Sequence, residues 1–142
     1  MMSVLLIEDN DDDIELSRRS FEKAGLGAQL RVARNGEDAL DYLFGRGAYA
    51  SQGVASSIQL VLLDLNLPKM SGLEVLQWMR KQPALKTVIV VIIAGLPLDS
   101  EIQRAYLLGA NSLLIKGTSQ EQLDQKIRLL KDYWLGANQP PQ

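Results

Sequence analysis

Residues Leu60-Val61-Leu62-Leu63 run unbroken into Asp64, and Pro68 and Gly72 mark the turn that follows. A short apolar run bounded by turn residues is a strand buried on both faces, and such a strand needs a packed layer on each side. A carboxylate at its end is costly to bury, so Asp64 belongs at the strand's carboxyl edge, where the chain surfaces. The remaining chain supplies matching pieces. Val4–Ile7, Gln29–Ala33, Val88–Ile93 and Leu113–Ile115 read as four more short strands, the second of edge type. Helical periodicity falls between them. A first helix runs to about Ala24, with Ile14, Phe21 and Ala24 on one stripe and Gly25 stopping it. A second runs from Asn35-Gly36 through Ala39, Leu40, Leu43 and Phe44, and a third spans 72–81 with Leu73, Leu76 and Met79 inward. A fourth covers about 99–108 and ends at Gly109. A fifth opens on a Ser119/Gln122 capping box and carries Leu123, Ile127, Leu130 and Trp134. Strand–helix alternation at this spacing implies an α/β fold: a five-stranded parallel sheet, doubly wound, with right-handed crossovers.

The 142 residues make one domain over 1–137, followed by a polar, frayed tail at 138–142. Gly45 to Ser57 is a small-residue stretch, long for a compact domain, and reads as a surface insertion or a functional loop. Composition matters mainly for what it excludes. The chain has no cysteine and no histidine, so thiolate nucleophiles, disulfides, His general bases and soft metal sites are absent. A net charge of −2 and no basic stripe give no support for nucleic-acid binding. No basic leader and no long apolar segment is present, so neither a signal peptide nor a membrane span is expected, and a cytoplasmic location fits.

Charge is concentrated at strand ends. Glu8 and Asp9 follow the first strand, Asp64 ends the third and Lys116 follows the fifth. All carboxyl ends of a parallel sheet share one edge, so these residues can converge there. Clustered carboxylates repel unless a cation joins them, and with oxygen ligands alone the fitting ion is Mg²⁺ or Mn²⁺. A lysine opposite Asp64 suits a phosphoryl oxygen, and the set suits phosphoryl transfer onto Asp64. Asp11, Asp12 and Asp13 need no such reading, because acids are favoured in a helix's first turn.

The chain resembles the receiver domain of two-component response regulators over nearly its whole length. The resemblance rests on Ile7-Glu8-Asp9-Asn10, on Asp64-Leu65-Asn66-Leu67-Pro68-Lys69-Met70-Ser71-Gly72 and on Lys116 after an apolar strand. It implies a flavodoxin-like (βα)5 fold with strand order 2-1-3-4-5. It further implies that Asp64 accepts a phosphoryl group from a sensor histidine kinase. Asp9, Asp64 and the Asn66 backbone carbonyl would hold Mg²⁺, with Glu8 acting through a bound water. Lys116 would pair with the phosphoryl group, and Gly95 would stay small to admit the donor. Leu65-Asn66-Leu67-Pro68, the long loop before the third strand and Asp132-Tyr133-Trp134-Leu135 resemble the single-domain regulators that partner phytochrome-type kinases.

Three positions depart from the family pattern. Ala94 stands where receivers carry a Ser or Thr, Leu113 where they favour Tyr or Phe, and Gly117 where they carry Pro. The hydroxyl and the aromatic are the two halves of the usual conformational switch, and alanine offers no hydrogen bond. The expectation is a stand-alone phosphoacceptor, not an enzyme, that signals by binding another protein or by pairing with itself. The surface would be helix four, strand five and helix five, with Leu107, Leu108, Leu114 and Trp134 as candidate contacts. The alternative is a receiver-like adaptor that signals without phosphorylation. A flavodoxin would need a phosphate loop where Glu8, Asp9 and Asp11 stand, and an aspartyl phosphatase a second acid where Asn66 stands.

Overall fold

A computed structural model describes residues 3–46, 58–68 and 70–141. Five strands and five helices alternate: β1 Ser3–Ile7, α1 Asp11–Lys23, β2 Leu30–Ala33, α2 Gly36–Phe44, β3 Ile58–Asp64, α3 Gly72–Lys81, β4 Ile89–Ala94, α4 Asp99–Leu107, β5 Ser112–Ile115 and α5 Gln120–Asp132. All pairings are parallel, and the strand order is β2-β1-β3-β4-β5. The stretch 47–57, expected as a loop, lies outside the described residues.

Side-chain parity divides the core in two. Leu5, Ile7, Val61, Leu63, Val90, Ile92 and Ala94 pack against α2, α3 and α4. Val4, Leu6, Leu60, Leu62, Val91 and Ile93 pack against α1 and α5. Alternation along each strand sends these two sets to opposite faces, which is why the central strands are apolar at every position.

Local signals start the helices where expected. Asn10, Asn35, Ser71 and Ser119 each accept a hydrogen bond from a first-turn amide of α1, α2, α3 and α5. The box at α5 is only half formed. Gln122 Oε1 accepts from the Thr118 amide at 2.6 Å instead of from Ser119. Gly117, at φ +84°, makes room for that carboxamide, since a Cβ there would lie 2.5 Å from Gln122 Oε1.

Some boundaries and faces differ from expectation. Residues 27–29 form a 3₁₀ turn, so β2 begins at Leu30 and buries Leu30 and Ala33, with Val32 only half-buried. Strand β4 extends through Ala94. In α3, Val75 is fully buried and Leu73 only partly, because the helix rolls its Val75/Leu76/Met79 face onto the sheet. Helix α5 gives way to a π turn at Tyr133–Ala137, which carries Trp134 onto the α1/α5 core and edge-to-face with Tyr133.

Two polar anchors hold layers together and carry no local signature. Asp124 of α5 is buried at the α1 interface. Its carboxylate accepts from Ser20 Oγ at 2.6 Å, Gln120 Nε2 at 3.0 Å and Lys23 Nζ at 3.2 Å. The Ser20 hydroxyl first, then Gln120, hold its pKa down to about 2. Arg80 of α3 donates to the carbonyls of Leu85, Lys86, Val88 and Gly109 and to the Asn111 side chain, pinning the turns on either side of β4.

Candidate functional site

Register alone brings the strand-end charges together. Ile7 pairs with Leu63, so Glu8 comes beside Asp64. Ala94 pairs with Ile115 and accepts from the Lys116 amide at 2.9 Å, so Lys116 leaves the sheet two strands away. Parity then fixes direction. Glu8 continues the Val4/Leu6 set, Asp64 the Leu60/Leu62 set and Lys116 the Leu114 set, so all three side chains point to the α1/α5 side. Ala94 and Leu113 belong to the opposite set and face α2–α4.

A cleft of about 430 Å³ results, lined by Glu8, Asp9, Asn10, Asp13, Asp64, Asn66, Gly95, Lys116 and Gly117. Glu8 is 2% exposed and Asp64 5%, which is unusual burial for carboxylates. Lys116 Nζ lies 3.0 Å from Glu8 Oε1, 3.3 Å from Asp13 Oδ2 and 3.9 Å from Asp64 Oδ1. The other Glu8 oxygen accepts from the Asp9 amide at 3.1 Å and the Asn10 amide at 3.4 Å. Arg34, in the β2–α2 turn, donates to the Asp9 carbonyl at 3.2 Å and pairs with Asp11. The acidic loop is therefore tied from both sides.

Electrostatics follow from this packing. Burial, then the hydrogen bond and charge of Glu8, push Asp64 up to about 7, against the opposing pull of Lys116 and the Asn66 amide. Burial alone would lower the Lys116 ammonium, yet the Glu8 hydrogen bond and the charges of Asp64, Glu8 and Asp13 outweigh it and hold its pKa above the usual value. One carboxylate oxygen from each of Glu8, Asp9 and Asp64 lies within 4.8 Å of the others. Hard oxygen donors at that spacing, with a single ammonium among them, suit a small dication.

The expected residues do assemble, with one addition and one contrast. Asp13, assigned above only to a helix start, also reaches Lys116, because parity aims the lysine at the first turn of α1. Ala94 is fully buried, and Leu113 packs partly buried beside the α2–α4 core. Gly95 is exposed and has nothing within 4 Å of where a Cβ would sit, so the mouth of the cleft is open there.

Comparison with known proteins agrees with this architecture. Residues 4–128 match the model of the response regulator receiver domain. The chain belongs to the response regulator receiver family. This receiver is 38% identical over 138 residues to the probable methanogenesis regulatory protein FilR2 of Methanothrix harundinacea, covering 97% of this chain and 86% of that one. It is 30% identical over 132 residues to response regulator Rcp1 of Synechocystis, covering 93% and 88% of the two chains. The Mn²⁺-bound form of Rcp1 superposes with a TM-score of 0.87 at 28% identity over all of both chains. The phosphorylated cyanobacterial phytochrome response regulator RcpA superposes with a TM-score of 0.89 at 31% identity, covering 99% of each. The receiver's relatives thus include phytochrome response regulators. No described helix is long and apolar enough to cross a membrane.

Proposed function

We propose that this receiver accepts a phosphoryl group on Asp64 from a phosphohistidine of a sensor histidine kinase, in a reaction that requires a divalent cation. The observation that carries this reading is the convergence of buried Glu8 and Asp64 with Asp9 and Lys116 in one open cleft. An ionised Asp64 carboxylate oxygen forms the bond to phosphorus as the P–N bond of the donor breaks, and that bond's electron pair leaves on the imidazole nitrogen, which takes a proton from solvent. Asp9 and Asp64, with the Asn66 carbonyl, would hold Mg²⁺ or Mn²⁺, and Glu8 would contribute through a bound water. The cation would neutralise charge on the transferring group. Lys116 stabilises the phosphoryl oxygens, and Gly95 leaves the donor's path open. Likeness to RcpA and Rcp1 supports a phytochrome-type kinase as the donor.

Calorimetry with beryllofluoride tests the reading. Binding is expected only with Mg²⁺, and only when Asp64 is present. Binding that survives Asp64→Asn would place the acceptor elsewhere.

The cation should also bind with a defined pH dependence. An Asp64 pKa of about 7 means the cation-free folded state holds a proton that the unfolded chain releases. That group's contribution to stability is present at low pH and is lost as pH rises toward 7. Mg²⁺ competes with the same proton, so its affinity should rise about tenfold from pH 6 to pH 8 and then level. Mg²⁺ titrations at several pH values check this, and a flat profile would contradict it.

The output of this receiver would be atypical. Ala94 presents no hydroxyl to a phosphoryl group, and a ligand shifts a conformational equilibrium only through contacts that differ between states. Ala94→Thr combined with Leu113→Tyr should enlarge any phosphorylation-linked change in self-association, read by sedimentation. No difference from the parent would remove the missing-switch explanation. The same two residues favour, as a second reading, an adaptor that binds its partner in either state. Of the contacts expected on the face formed by α4, β5 and α5, Leu107 is exposed, whereas Leu108, Leu114 and Trp134 pack against the cores. Tyr106, Leu129 and Tyr133 are exposed on these elements and the π turn, and they complete that candidate interaction surface.

A further inference from the structure

We propose that Asp13 is a positioning residue for Lys116, a role that rests on Asp64 being the phosphoacceptor. A lysine ammonium has three hydrogens to donate. Two are engaged, by Glu8 at 3.0 Å and Asp13 at 3.3 Å. Asp64 Oδ1 lies at 3.9 Å, too far for a direct hydrogen bond and close enough for an oxygen of a group carried on Asp64 to fill the gap. Glu8 and Asp13 together therefore aim the third hydrogen at the acceptor.

The two anchors are not equivalent. Glu8 belongs to the carboxylate set that converges within 4.8 Å, and Asp13 does not. A dication held by Asp9, Asp64 and the Asn66 carbonyl would repel the ammonium and, through its bound water, would compete with it for Glu8. Asp13 then remains as the anionic partner that keeps Lys116 over the cleft. Its backbone is fixed for this task, since its amide donates to the Asn10 side chain at 2.9 Å in the first turn of α1. Without Asp13, the lysine, whose side chain is 20% exposed, is free to leave for solvent.

The test is the rate of labelling by acetyl phosphate at saturating Mg²⁺. Asp13→Ala should slow labelling about fivefold, consistent with loss of one partly exposed charge contact. Mg²⁺ affinity, measured by calorimetry, should change less than twofold. Asp13→Glu, which keeps a carboxylate in the first turn of the helix, should restore most of the rate, whereas neutral Asp13→Asn should not. In a Lys116→Ala background, Asp13→Ala should have no further effect, because the two act through one contact. A labelled parent whose Asp13→Ala variant reacts at the parental rate, or an Asp13→Ala effect of equal size without Lys116, overturns the positioning role alone. A parent that takes no label overturns the acceptor reading and this role together.

Discussion

Gly72→Ala should unfold this protein more readily than any other single methyl addition near the site. A Cβ at Gly72 would lie 2.2 Å from the Asp64 carbonyl oxygen and 3.0 Å from the Leu65 Cα. Both are backbone atoms and cannot rotate away. The Gly72 amide also donates to the Leu65 carbonyl at 3.0 Å, so α3 begins in direct contact with the end of β3. Relief requires moving α3 off the strand that carries Asp64. Overpacking a core costs about 1–3 kcal/mol, and a clash with main chain belongs at the top of that range. Urea titration should show a lower midpoint with an unchanged slope. A midpoint equal to the parent's would mean that the contact between α3 and Asp64 is looser than described.

Lys116→Met should destabilise the cation-free protein by about 2–4 kcal/mol. Removing one partner of a buried ion pair leaves the other's charge uncompensated, which typically costs about 3–5 kcal/mol. The figure is reduced here because the Lys116 side chain is 20% exposed. Glu8 loses its only cationic contact within 4 Å among the described residues, and Asp64 its nearest ammonium. Asp64, whose pKa is already raised to about 7, would hold its proton more firmly still, so the loss should grow as pH rises above neutrality. Mg²⁺ should restore more stability to this variant than to the parent, since it supplies the positive charge the lysine gave up. Thermal melts with and without Mg²⁺ at pH 6 and 8 read both effects. Equal Mg²⁺ shifts in the two proteins would contradict the idea that lysine and cation serve the same carboxylates.

Much of this site was legible in the sequence because its logic is local. A run such as Leu60–Leu63 bounded by turn residues reads as a buried strand, and a parallel sheet puts every strand's last residue on one edge. Glu8, Asp64 and Lys116 could be placed together from chain order alone. Asp13 could have been found by one further step: the even-numbered residues of β1, β3 and β5 share a face, and that face lies under α1. Asp124 and Arg80 offered no such handle. Each reads as an ordinary solvated helix residue: Asp124 owes its role to Ser20, 104 residues away, and Arg80 to bare carbonyls of the following turns, which no side-chain pattern announces. The π turn that carries Trp134 was hidden for a related reason. An apolar stripe continues through Tyr133–Ala137, and the period does not reveal that the backbone widens there.

The family departures illustrate a different limit. That Ala94 lacks a hydroxyl is plain from its letter. That it ends a fully buried strand, on the face opposite Glu8, Asp64 and Lys116, required the sheet's parity. Ala94 nevertheless ends its strand at the same carboxyl edge as Asp64, next to Gly95 in the cleft lining.

The most direct test of the central claim is intact mass after incubation with acetyl phosphate, with and without Mg²⁺, for the parent and for Asp64→Asn. A gain of one phosphoryl group is expected in the parent only when Mg²⁺ is present, and none in Asp64→Asn under either condition. Labelling that persists in Asp64→Asn, or a parent that gains no mass with Mg²⁺, would contradict it.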